Sequence, residues 1–182
     1  MSRIPLLKPE QMDSEQRRVY EETLAKTGRA SGGPSTGYAY APLLWERNNA
    51  ISAYLESKSS LSAAQLRIGA LVTVRHWNSG FPWAAQARMG LAAGLDPKAV
   101  DAINASQRPV LANAEDQAVH DAARELVETG TLSDATFASA HTALGTRKLV
   151  DVIGCVGHFT KTAMMANVAG VDAPADAPSK LK

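Results

Sequence analysis

Apolar residues recur at helical spacing through most of the chain, and strictly alternating runs are scarce, so the pattern predicts an all-α protein. The segment PEQMDSEQRRVYEETLAKTG opens at Asp13 or Ser14 and closes at Gly28. A second helix is expected over 43–57. Between them, RASGGPSTGYAYAPLL is rich in Gly, Pro and Ser, which predicts an irregular loop suited to lining a pocket. The clearest helix is LSAAQLRIGALVTVRHW, where Ser62 and Gln65 have capping-box spacing and Leu61 and Leu66 fill the staple positions. Over 66–74 it is apolar nearly all round, which predicts a central, buried element. After the turn Asn78-Ser79-Gly80 comes FPWAAQARMGLAAGL, with Pro82 suited to a first helical position and Gly94 to the terminal cap. Further helices are expected from Asp96-Pro97, from near Asn113 to Gly130, and from Ser133 to Gly145. The last helix starts from a cap at Thr146 and runs to about 169.

Residues 1–170 fit one domain, long enough to bury a substantial core. The tail at 171–182, made of Ala, Pro and charged residues, is expected to lack fixed structure. A net charge of +1 gives no electrostatic case for nucleic acid or an anionic membrane. The N-terminus lacks the apolar run of a signal peptide, and no stretch of eighteen uninterrupted apolar residues predicts a membrane span. Cys155 is the single cysteine, which excludes an internal disulfide framework and favours a cytoplasmic setting.

The order GPSTGYAYAPLL, LSAAQLRIGALVTVRHWNSGFPW, AGLDPKAVDAINA and LSDATFASAHTALGTRKLVDVIGCVGHFTKTAMMAN resembles the carboxymuconolactone decarboxylase family, which includes the alkylhydroperoxidase D-like proteins. The resemblance covers roughly residues 34–169, and its most specific parts are the RHWNS turn and the LSDATF…LG helix start. It implies an all-α bundle with a central helical hairpin, assembled as a trimer or hexamer. It also aligns the peroxidase branch's two cysteines with Ser79 and Pro82, its histidine with Gln86 and its glutamate with Arg67. All four are replaced. A thiol cycle needs a thiolate and a second sulfur to resolve it, so that chemistry is not expected here. The non-thiol branch often reads Y-E-W-x-x-H where this chain has Phe81-Pro82-Trp83-Ala84-Ala85-Gln86, which keeps Trp83 alone.

What chemistry remains starts with Arg67, a guanidinium on an apolar helix that needs an anion. An internal salt bridge or a side chain snorkelling to the surface satisfies that need, and so does the carboxylate of a small ligand. Arg75 is a second candidate for the same ligand. His76, at a helix end, suits either the helix dipole or general acid–base work. His158 stands where relatives often carry tyrosine, on one face with Cys155 and Lys161. It reads as a replacement proton donor, with an activated thiol and plain core packing as the alternatives. Tyr38 and Tyr40 are expected to cap a pocket walled by Phe81, Trp83 and Gln86, while Trp45 is expected in the core. His120 and His141 fall on outer helices and read as surface residues. The histidines and cysteine lack zinc spacing, and ASGGPSTG precedes no strand, so no metal or cofactor is expected. Together with the resemblance, these residues suggest a cofactor-free lyase or isomerase acting on a small carboxylated lactone, keto acid or aromatic-breakdown product. The alternative is a non-catalytic oligomer that binds a small acid or serves as a scaffold.

Overall fold

The computed structural model describes residues 3–181. Among them there are eight helices and no strand: α1 (Ser14–Thr27), α2 (Ser35–Tyr38), α3 (Pro42–Ser57), α4 (Ala63–His76), α5 (Gly80–Ala92), α6 (Pro97–Asn104), α7 (Ala114–Thr129) and α8 (Asp134–Ala169). The all-α expectation is met. No helix among the described residues is long and apolar enough to cross a membrane.

Helix α4 is the centre of the bundle. Its capping box closes as the spacing predicts, with Gln65 N donating to Ser62 Oγ at 3.1 Å and Ser62 N donating to Gln65 Oε1 at 3.1 Å. Every residue over 65–74 is buried. That all-round burial requires neighbours on every side, and α5, α7 and α8 supply most of them. Gly69 lets α8 approach closely, since a Cβ there would lie 3.1 Å from Cys155 Sγ. The core along this axis includes Ile68, Leu71, Val74, Trp83, Val119, Val152 and Ala163.

The turn after α4 forms the hairpin that the resemblance implied. Asn78 takes φ 48°, a left-handed conformation that asparagine tolerates better than most residues. Helix α5 starts at Gly80, so Pro82 is its third residue rather than its first. Its missing N–H is still harmless, because the first N–H groups of a helix have no internal partner.

Helix α8 contains a break. Gly145 has φ 70° and ψ 168°, far from helical, and it separates the stretch before it from the one after it. The Gly145-Thr146 signal therefore marked a real interruption. The segment after Gly170 has no helix or strand, but it lies against α5 and α6. Asn104 Nδ2 donates to Lys180 O at 2.7 Å, and Arg88 pairs with Asp176 at 3.0 Å. The loop before α3 contains the short helix α2, and Tyr38 and Trp45 pack in a second, smaller core with Val19 and Ala30.

Candidate functional site

The positions that carry chemistry in the resembled proteins stay adjacent here, with other side chains. Arg67 on α4 donates from Nη1 to Gln86 Oε1 on α5 at 2.8 Å, and its Nη2 donates to Glu56 near the end of α3. The guanidinium is 4% exposed and the Glu56 side chain 42% exposed. The anion that Arg67 requires is thus a protein carboxylate, as the salt-bridge alternative had it, and the expected ligand-facing role is replaced by a closed contact. Glu56 lies on another helix, so helical spacing around Arg67 gave no sign of it. Ser79 is fully buried and donates to Ala163 O at 3.3 Å, which leaves it no nucleophilic role.

His158 is buried beside this cluster, with its ring edge-on to Phe159 and its Nδ1 without a hydrogen-bond partner. Burial, then the Lys161 charge, lowers its titration to about 4, and Glu56 only partly opposes them. The imidazole is therefore neutral at pH 7. Cys155 Sγ is a weak donor to Leu66 O at 3.7 Å. Burial pushes this thiol up to about 12, with the Arg67 charge only partly offsetting it. A buried thiol so far from ionising is not a nucleophile.

The aromatic candidates do not converge. Trp83 is fully buried core, and its indole N–H reaches Ser179 Oγ at 3.4 Å. Phe81 packs where Gly33 has no side chain, under the Arg29 guanidinium at 6.0 Å from the ring centre. Tyr38 is buried below Lys161, whose Nζ is 5.9 Å from the ring centre. Tyr40 is exposed and donates to Pro5 O at 3.0 Å. One irregular loop therefore sends its two tyrosines to different environments.

Arg75 and His76 do share an open site, on the opposite end of α4 from Arg67. They line a pocket of about 120 Å³ with Val72, Ile103, Ser106, Gln107, His120, Arg124, Val127 and Glu128. Its walls are the end of α4, the end of α6 with the loop after it, and α7. Arg75 Nε donates to Asn104 O at 2.6 Å, which ties α4 to α6, and its two Nη atoms have no partner among the described residues. Ser106 has φ 57°, and its carbonyl accepts from Arg124 Nη1 at 2.8 Å. Arg124 Nε pairs with Glu128 at 2.9 Å.

His120 corrects the surface reading. It is 2% exposed. Its Nδ1 lies 2.8 Å from Asp121 Oδ1. Burial lowers its titration, and Asp121 only partly restores it. The signal was available in the sequence: His120 follows Asp116 by four and Val119 by one, and precedes Ala123 by three, so it lies on the buried stripe of α7. Arg124, Asp121 and Glu56 were the other residues not singled out. Among the described residues, no three His, Cys, Asp or Glu side chains gather where they could hold a metal ion.

Fold and site together define an all-helical protein whose one thiol, Cys155, is buried, and in which Arg67 and Gln86 close a buried contact with Glu56. No family model matches the sequence, and no curated protein matches it. Solved structures do. A peroxidase-related protein with the alkylhydroperoxidase AhpD core from Ralstonia eutropha JMP134 superposes with a TM-score of 0.79 at 16% identity, covering 96% of this chain and 93% of that one. A peroxidase-related protein from Silicibacter sp. TM1040 gives 0.72 at 16% identity, covering 99% and 94%. A protein of unknown function from Agrobacterium tumefaciens gives 0.66 at 15% identity, covering 76% and 96%. The chain shares the all-helical fold of these AhpD-like, peroxidase-related structures. Identities this low establish architecture and carry no activity across.

Proposed function

We propose that the protein is a cofactor-free lyase or isomerase acting on a small carboxylated lactone or keto acid, bound in the Arg75–His76 pocket. The observation that carries this reading is the gathering of Arg75, Arg124, His76 and His120 around one pocket, against a single carboxylate, Glu128. Guanidinium groups bind carboxylates through charge-assisted, forked hydrogen bonds. Imidazoles move protons near neutral pH. A pocket of about 120 Å³ falls well below the several hundred typical of drug-sized ligands, which favours a small acid. The replacement of both motif cysteines at Ser79 and Pro82 argues against a thiol peroxidase.

One observation favours a non-catalytic small-acid binder instead. The motif positions that hold reactive groups in the resembled proteins are occupied by mutually satisfied side chains. Incubation with a panel of ring-cleavage lactones, keto acids and unsaturated acids, followed by proton NMR, separates the two. The enzyme reading expects turnover of at least one class, lost in Arg75→Gln and in His76→Gln. Binding without turnover across the panel would select the binder, and neither binding nor turnover would reject both.

The resemblance also supports a homotrimer or hexamer. Val150, Ile153, Met164 and Val168 are exposed along one stripe of α8, with Gly154 and Gly157 between them. An exposed apolar stripe of this kind, broken only by Lys161 between Gly157 and Met164, supports a partner surface.

A further inference from the structure

His120 is a buried imidazole held by a hydrogen bond to its neighbour in the chain. Its ring is buried and lines the Arg75 pocket. Asp121 fixes one of its nitrogens, with Nδ1 to Oδ1 at 2.8 Å. Asp121 is itself clamped. Arg108 donates to it from Nη2 at 2.6 Å and from Nε at 3.0 Å, and Gln117 donates at 3.2 Å. Burial would raise the Asp121 titration, but these bonds outweigh it and hold the carboxyl below its ordinary range. An ionised carboxylate only accepts, so the proton of a neutral His120 sits on Nδ1. Nε2 is then a bare lone pair on a ring that lines the pocket.

We propose that His120, oriented by Asp121, is the general base of this pocket, and that Arg75 and Arg124 hold the carboxylate of the acid it deprotonates. The inference rests on the pocket being the substrate site. It also selects between the two reaction types. Nε2 takes a proton from the carbon beside the keto group or double bond of a small acid. The C–H bond breaks, an N–H bond forms, and the electron pair passes into the conjugated carbonyl beside the two guanidinium groups. Return of the same proton to another carbon of the same molecule completes an isomerisation, with nothing oxidised, reduced or released. Loss of carbon dioxide would instead break the bond to the substrate carboxylate, send that electron pair into the conjugated carbonyl and take up a proton afterwards, so it gives a base with a free lone pair nothing to do at the start. Asp121 acts as a positioning residue, because it reaches the substrate only through the ring.

The charged and titratable groups around the imidazole come from each packed element. They are Asp121, Arg124 and Glu128 on α7, Arg75 and His76 on α4, and Arg108 in the loop after α6. Long-range proton–nitrogen NMR of the nitrogen-labelled wild-type protein tests the proposal, with sodium malonate as the probe acid. The expected result is an Nδ1-protonated His120, a mixed tautomer in Asp121→Asn, and a rise of roughly one pH unit or more in the ring's titration when malonate binds. An Nε2-protonated ring in the wild type overturns the proposal. Malonate that perturbs the Ser106 and Gln107 amides but leaves the His120 ring unmoved overturns it too, while the pocket reading stands. Malonate that perturbs none of these residues removes the pocket reading and this proposal with it.

Discussion

At the scale of single residues, Arg67 shows how burial decides role. The chain places a guanidinium among apolar neighbours, and the fold answers with Glu56 and Gln86. Glu56→Gln leaves the charge buried without its anion and is expected to lower stability by roughly 1.5–3 kcal/mol. Arg67→Met combined with Gln86→Met removes both buried polar partners and frees the half-exposed Glu56 into water. That pair is expected to stay within about 1 kcal/mol of wild type. Urea unfolding measures both, and a double variant less stable than Glu56→Gln would contradict the structural role. His158 gives a pH prediction. Its titration falls from 6.5 to about 4 on folding, so the unfolded chain binds more protons between those values. Stability is full above pH 6.5, falls as pH drops toward 4, and is lower there by on the order of 3 kcal/mol. His158→Gln is expected to flatten that window, and unfolding curves at pH 4 and 7 that match between the two proteins would refute it. The need of Arg67 for an anion was legible in the sequence. The identity of that anion was not, because Glu56 is set by the approach of α3 to α4 rather than by any local pattern. His120 was legible in principle from the α7 stripe, and its polarity masked its position.

At the scale of elements, the local signals carried far. Ser62, Asn113 and Ser133 accept the helix-start bonds that their residue types promise, and Gly28, Gly130 and Gly170 close helices in left-handed conformations. Gly145 is the sharpest case. Its φ of 70° with ψ of 168° is a region that essentially only glycine enters. A Cβ there would meet nothing within 4 Å, so the obstacle to a side chain is conformational rather than steric. Gly145→Ala is expected to cost roughly 1–3 kcal/mol in thermal or chemical unfolding. A variant as stable as wild type would show that the break in α8 is not fixed by this residue. Helix α2 and the path of the tail escaped the sequence reading for a shared reason. Four helical residues in a Gly- and Pro-rich stretch give no periodicity to detect. The tail is placed by contacts from Arg88 and Asn104, far away in sequence.

At the scale of the whole molecule, Arg67 and Gln86 form a closed contact with Glu56 near the start of the central helix, and the open pocket lies at its other end. The exposed α8 stripe bears on assembly. Ile153→Glu is expected to reduce the mass seen by light scattering to that of one chain, and a monomeric wild type would reject the oligomer. On the proposed function, a small acid binds at Arg75 and Arg124, not at Arg67. Calorimetric titration of malonate into the wild type, Arg75→Gln, Arg124→Gln and Arg67→Met tests it most directly. Saturable binding is expected in the wild type, with at least a tenfold weakening in Arg75→Gln and Arg124→Gln as a charge-assisted bond of about 1.5–3 kcal/mol is lost, and unchanged affinity in Arg67→Met. Binding that survives Arg75→Gln and Arg124→Gln but disappears in Arg67→Met would contradict it.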